Sequence, residues 1–139
     1  MLEWTTSLAV GVSEIDAQHR TLFERAAELE AAVRAREPGG RVGSIFECLD
    51  EYARAHFASE ERLMREVDYP EMERHVHEHL EFRRRLASLV PHWESEGPSA
   101  AMTMALLGFL DRWLSDHVTA SDRQLGAFVR EWRVRARAG

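Results

Sequence analysis

Residues 49–64 read LDEYARAHFASEERLM, and the reading of this stretch decides the fold. With Ile45 ahead of it, the apolar positions Ile45, Leu49, Tyr52 and Leu63 recur at the three- and four-residue steps of one helix face. His56 and Glu60 occupy the rungs between Tyr52 and Leu63, so they share that face. A carboxylate turned into an apolar interior is costly, or takes up a proton, unless cations or donors surround it. The helix therefore calls for polar groups from its neighbours.

Working outward, this helix runs from about Val42 to Arg65. Upstream, a helix over Glu14–Arg36 carries Ile15, Leu22, Phe23, Ala26, Leu29 and Val33 on one stripe. Ser13 is placed to cap it, and Pro38-Gly39-Gly40 to end it. His19, four after Ile15 and three before Leu22, faces the same core. Downstream, Asp68-Tyr69-Pro70 forms a loop, with Pro70 suited to a helix start. The helix after it spans Glu71 to Val90 or beyond, with the stripe Met72, His75, His79, Phe82, Leu86 and Leu89. Gly97-Pro98 marks a break, Ser99 a cap, and a further helix runs over Ala100–His117. Its apolar positions Met102, Leu106, Phe109, Leu110, Trp113 and Leu114 are continued by His117. A short helix is expected over Gln124–Arg135, and an extended arm before Gly11, anchored by Trp4, Leu8 and Val10.

The predicted fold is all-α. Short connections favour antiparallel neighbours, hence an up-down-up-down four-helix bundle with an extended N-terminal arm and a short C-terminal helix. A length of 139 residues suits one domain, 1–139. A net charge of -6 argues against nucleic acid or an anionic membrane as partner. All 18 basic residues are Arg, and the run Arg83-Arg84-Arg85 reads as a solvated face. Cys48 is the only cysteine, which excludes a disulfide or a cysteine-based zinc site; it is expected as a small buried helix residue. No apolar run is long enough to span a membrane, and the first ten residues lack the pattern of a signal peptide. A cytoplasmic location is expected.

The chemistry lies in the histidines. One histidine on an apolar stripe is usually a hydrogen-bonded core residue. Here every predicted bundle helix turns such a group inward: His19, then His56 with Glu60, then His75 with His79, then His117. His77 and His92 fall off the stripes and read as surface residues, and Asp16 as a first-turn helix residue. Asp122 follows His117 by five, which on a continuous α-helix turns it about 140° away. A bend or break over Val118-Thr119-Ala120-Ser121, with Asp122 just past it, would let it reach back. Five imidazoles and two carboxylates suit iron, and also manganese, zinc or nickel. The Glu-x-x-His pair of ferritin-like di-iron bundles is absent from the chain.

Taken together, these pieces resemble the hemerythrins, specifically the single-domain bacteriohemerythrins. The likeness runs from Trp4 to about Leu125 and is carried by Gly11-Val12, Ile15-Asp16-Ala17-Gln18-His19, His56-Phe57-Ala58-Ser59-Glu60-Glu61, Leu63-Met64, Tyr69-Pro70, His75, His79, Trp113-Leu114-Ser115-Asp116-His117 and Asp122. The resemblance implies two non-haem iron ions and reversible O2 binding. It assigns His75, His79 and His117 to one iron, and His19 and His56 to the other, which keeps an open position for O2. Glu60, Asp122 and an oxo or hydroxo group would bridge them. Leu22, Phe57, Trp113, Leu114 and Val118 would line the O2 pocket. Where the family often carries Tyr, three residues after the bridging Asp, this chain has Leu125. The implied role is an O2 carrier or store without turnover. An O2 or redox sensor acting through a partner protein, and a peroxide- or NO-reducing di-iron enzyme, follow in that order. A monomer is expected.

Overall fold

The apolar stripes are realised as helices. The computed structural model describes residues 3–96 and 100–139, with the backbone alone over 89–96 and at 100. α1 spans Ser13–Arg34, α2 Gly39–Glu66, α3 Met72–Glu96, α4 Ala100–His117 and α5 Arg123–Ala138. Among the described residues there is no strand. Among the described residues, one 3-10 turn, Thr6–Leu8, precedes α1. α1 packs on α2 and α4, α2 on α3, and α3 on α4, so these four form a helical bundle around a shared interior. The expected break at Gly97-Pro98, the Ser99 cap and the side chains of Leu89 and His92 lie outside the described residues.

The helix ends differ from the sequence expectation. α1 stops before the glycines, because Arg36 takes a left-handed conformation at φ 54°. Its N–H then bonds Val33 C=O, and Glu37 N–H bonds Ala32 C=O, which is the Schellman pattern. α2 ends the same way: Asp68 sits at φ 52°, with Asp68 N–H on Arg65 C=O and Tyr69 N–H on Met64 C=O. Gly39 and Gly40 belong to the first turn of α2, since Pro38 C=O already accepts the N–H groups of Arg41 and Val42. Ser13 does not cap α1; it is the first helical residue. No side chain caps α1; the Asp16 carboxylate instead ties the preceding segment to its first turn, accepting from the N–H of Val10 at 2.8 Å and of Gly11 at 3.3 Å. Cys48 is exposed, not buried. Ile45, Phe46 and Leu49 take the inward face of α2, and Cys48 falls outside that arc. Arg83, Arg84 and Arg85 are exposed, as a solvated face requires.

α4 does not end where a break was expected. Val118–Asp122 form one π-helical turn that runs straight into α5. Arg123 N–H reaches back five residues to Val118 C=O. A widened turn of this kind stacks residues five apart, which brings Asp122 under His117 without breaking the helix. The terminal helix is accordingly a continuation of α4, 16 residues long.

Two apolar clusters fill the interior. One contains Leu22, Leu29, Leu49, Phe57, Phe82, Leu86, Leu110, Leu114 and Val118. The other gathers Val10, Val12, Ile15, Met64, Val67, Tyr69, Leu125 and Val129. On each element the inward polar residues fall between the two. His19 lies between Ile15 and Leu22, and Glu60 between Phe57 and Met64. Asp122 lies between Val118 and Leu125. The bundle thus holds a polar layer between two apolar ones.

The segment before α1 is clamped to α5 at Gly126. A Cβ there would stand 2.4 Å from Val10 C=O and 2.9 Å from Val10 Cβ. Gly126→Ala should therefore lower stability by about 1–3 kcal/mol, despite the better helix propensity of alanine. The midpoint of urea unfolding measures this; an unchanged or raised midpoint would show that the contact yields freely.

Candidate metal centre

The seven residues singled out in the sequence all meet in the polar layer. His19 comes from α1, His56 and Glu60 from α2, His75 and His79 from α3, His117 from the end of α4 and Asp122 from the π turn. Each is at most 3 % exposed, and His19 and Asp122 are wholly buried. His77 stands apart on the surface, paired with Glu81, and Asp16 serves the start of α1.

Each carboxylate is divided between two sets of histidines. Glu60 Oε2 lies 2.8 Å from His56 Nε2 and 3.5 Å from His19 Nε2. Asp122 Oδ2 lies 2.9 Å from His19 Nε2. The other two oxygens face the second set. Glu60 Oε1 is 3.0 Å from His75 Nε2 and 3.2 Å from His79 Nε2. Asp122 Oδ1 is 2.9 Å from His75 Nε2 and 3.0 Å from His117 Nε2. Within each set the potential ligand atoms lie within 4.8 Å of one another.

These separations suit ligands of a shared cation as well as hydrogen bonds, and alignment decides between the two. Two atoms each about 2.1 Å from a divalent ion, at right angles, are about 3.0 Å apart. The inward Nε2 of His19, His79 and His117 have no aligned hydrogen-bond partner, and neither do Glu60 Oε2 or either oxygen of Asp122. So many orphaned buried polar atoms would be costly unless their lone pairs converge on something positive. His75 is the exception, its Nε2 aligned with Glu60 Oε1. The donor set, imidazole nitrogen with carboxylate oxygen, suits first-row transition metals such as iron.

The outward ring nitrogens are held from other helices. His56 Nδ1 meets Gln18 Oε1 at 2.7 Å, and the Gln18 amide in turn donates to Ser59 Oγ at 3.2 Å. His79 Nδ1 meets Glu61 Oε2 at 3.0 Å. His117 Nδ1 meets Glu78 Oε1 at 3.4 Å, while Ser121 Oγ donates to the same carboxylate. His19 Nδ1 is buried with no partner. Such contacts select the tautomer, leaving Nε2 free to face inward. Sequence reasoning missed Gln18, Glu61, Glu78 and Ser121 as supports. The available signal was adjacency, since each directly precedes or follows a predicted ligand.

Without a cation the cluster would share protons. Burial opposes charge on His19, but Asp122 and Glu60 outweigh it and raise its pKa to about 9. The same balance, with the same two partners, raises His75 to about 9. Burial likewise opposes His117, yet Asp122 and Glu78 carry it to about 10. Burial pushes Glu60 upward, and the surrounding histidines, His56 foremost, pull it well below the ordinary carboxylate range. Burial and the Glu60 charge push Asp122 upward, but His117 and His19 prevail and lower it. Glu78 is lowered to about 2, first by its hydrogen bond with His117.

Apolar side chains close the layer. Leu22, Phe57, Leu114 and Val118 are buried beside it, and Trp113 is partly buried. Phe57 stacks on His79 with ring centroids 4.0 Å apart, and Trp113 on His117 at 4.3 Å. Leu125 is wholly buried in the opposite cluster, so no phenol reaches the carboxylates from that position.

The comparisons agree with this arrangement. The family model described as the hemerythrin HHE cation binding domain matches residues 10–129. A bacteriohemerythrin of Stenotrophomonas maltophilia is 30% identical over 123 residues, covering 88% of this chain and 78% of the relative. One from Pseudomonas aeruginosa is 30% identical over 121 residues, covering 87% and 76%. One from Clostridium acetobutylicum is 26% identical over 127 residues, covering 89% and 98%.

Metal uptake should expel protons. His19, His75 and His117 hold theirs at pH 7 in the metal-free protein, and imidazole must be neutral to bind a metal. Loading at pH 7 should release about three protons per chain or more. The release should fade as the pH rises through about 9 to 10, where these histidines are already neutral. An indicator dye in weak buffer reads the count; no release at pH 7 would contradict the assignment.

Proposed function

The chain belongs to the hemerythrin family, and from that membership we propose that it holds two non-haem iron ions and binds O2 reversibly, as a carrier or store. In this reading residues 1–139 form one hemerythrin-like domain. His75, His79 and His117 hold one iron, His19 and His56 the other. Glu60 and Asp122 bridge the pair beside an oxo or hydroxo group. The observation that carries the proposal is the division of both carboxylates, each offering one oxygen to each set of histidines.

When bound, the iron pair supplies the electrons for reversible O2 binding. The protein's part is to orient and to exclude. Gln18, Glu61 and Glu78 hold the outer edges of three imidazoles, so their inner edges stay aimed at the centre. Leu22, Phe57, Trp113, Leu114 and Val118 form the O2 pocket and keep out the water and protons that would drive oxidation. None of these five carries an acid, which favours binding over turnover and supports a protein that is not an enzyme.

The same reading makes the bundle antiparallel, with an extended N-terminal arm. Gln18 early in α1 meets Ser59 late in α2, and Glu61 late in α2 meets His79 early in α3. Glu78 early in α3 meets His117 at the end of α4. We further read the protein as a cytoplasmic monomer whose partner is O2, not nucleic acid or membrane. The net charge of -6 supports the exclusion of polyanions, and among the described residues no helix is long and apolar enough to cross a membrane.

Anaerobic loading with Fe(II), followed by admission and removal of air, tests the proposal. Two irons per chain and a visible band that comes and goes with O2 are expected. Tight binding of a single zinc, with no iron taken up, would sink it. Leu114 is 1 % exposed beside the centre, so Leu114→Ala should open the pocket to water and speed oxidation of the loaded protein severalfold. An unchanged oxidation rate would remove Leu114 from the pocket wall.

A further inference from the structure

The outer contacts divide unevenly between the two sets of histidines. On the three-histidine side, His79 and His117 each set Nδ1 against a carboxylate, Glu61 and Glu78. On the two-histidine side, His56 meets only the neutral amide oxygen of Gln18, and His19 Nδ1 is buried with no partner. A carboxylate behind an imidazole makes its metal-facing nitrogen more basic, and a charged hydrogen bond holds the ring more firmly than an amide does. An unpartnered buried N–H is itself a penalty, and His19 cannot escape it while Nε2 faces inward.

A second observation points the same way. A cleft of about 190 Å³ opens between α1, α2 and α5, lined in part by Ile15, Ser59, Glu60 and Leu63. Glu60 of the centre forms part of its wall, with its side chain turned away into the polar layer. Ile15 lies one turn before His19, and Ser59 is bonded to the Gln18 that holds His56. The cleft therefore lies beside the residues that back the two-histidine side.

We propose that the two metal positions are unequal in affinity because of these outer contacts. The His75, His79 and His117 position fills first and holds tightly, while the His19 and His56 position fills last and gives up its ion more readily. Gln18, Glu61 and Glu78 act as positioning residues that set the difference. This rests on the reading of the cluster as a two-metal site.

Titration of the metal-free protein with Co(II) under nitrogen, followed by calorimetry and by the visible spectrum of the bound ion, tests it. Two separate steps are expected. The tight first equivalent should survive in His56→Ala and be lost in His117→Ala. Glu61→Gln or Glu78→Gln should weaken the first step about tenfold or more and spare the second. Gln18→Glu should tighten the second step by about tenfold and spare the first. A contact that merely supported the fold would move both steps together, and that result overturns the proposal. So does uptake of two equivalents at one affinity by the unaltered protein. Absence of any metal uptake would overturn the two-metal reading itself, an outcome distinct from single-step binding.

Discussion

Two carboxylates, Glu60 and Asp122, lie fully withdrawn from water at the middle of a helical bundle, and five imidazoles close around them. A buried anion without compensation is among the most expensive things a fold can contain. Every larger feature answers to that constraint. Each bundle helix contributes a group to the layer, and apolar clusters seal it on both sides. The chain also departs from α-helical geometry at the one place where Asp122 must be brought in. A metal-free cluster meets the constraint by sharing protons between imidazole and carboxylate, and a metal-bound one meets it with cations.

The outer contacts tie this local chemistry to the packing of the bundle. Gln18 on α1 holds His56 on α2, Glu61 on α2 holds His79 on α3, and Glu78 on α3 holds His117 on α4. Each support sits next to a ligand candidate of its own helix, yet serves the following helix. The direction of the inner nitrogens of His56, His79 and His117 thus depends on the register between two helices. A shift of one helix along its neighbour would disturb both the packing and the centre. Through Ser121 and Glu78 the π turn joins the same chain of contacts. His19 is the loose end, with no outer partner for its Nδ1.

Much of this was legible from residue spacing. The stripes through Ile15 and Leu22, through Leu49 and Leu63, through Met72 and Phe82, and through Leu110 and Leu114 place the histidines inward, because the helical period is a local property. The ends of the elements were less legible. Arg36 and Asp68 stop two helices in a left-handed conformation normally left to glycine, and the Gly39-Gly40 pair that looked like a stop begins a helix. Cys48 was misplaced because composition suggests burial, whereas the phase of Ile45, Phe46 and Leu49 decides it. The five-residue step from His117 to Asp122 signalled that something must give. It did not reveal whether the helix would break or widen, since both satisfy the same spacing.

The sequence by itself determined the all-helical class, the inward face of each helix and the six polar residues, His19, His56, Glu60, His75, His79 and His117, that those faces carry inward. Those follow from periodicity and from the penalty on buried charge, which act within a single helix. Only the tertiary structure decided that each carboxylate is split between two sets of histidines, that Gln18, Glu61 and Glu78 stand behind the rings, and that α4 passes into α5 through a π turn. These are relations between helices distant in sequence, or between two backbone geometries of similar local cost. Packing in three dimensions selects among them, and nothing in the spacing along the chain does.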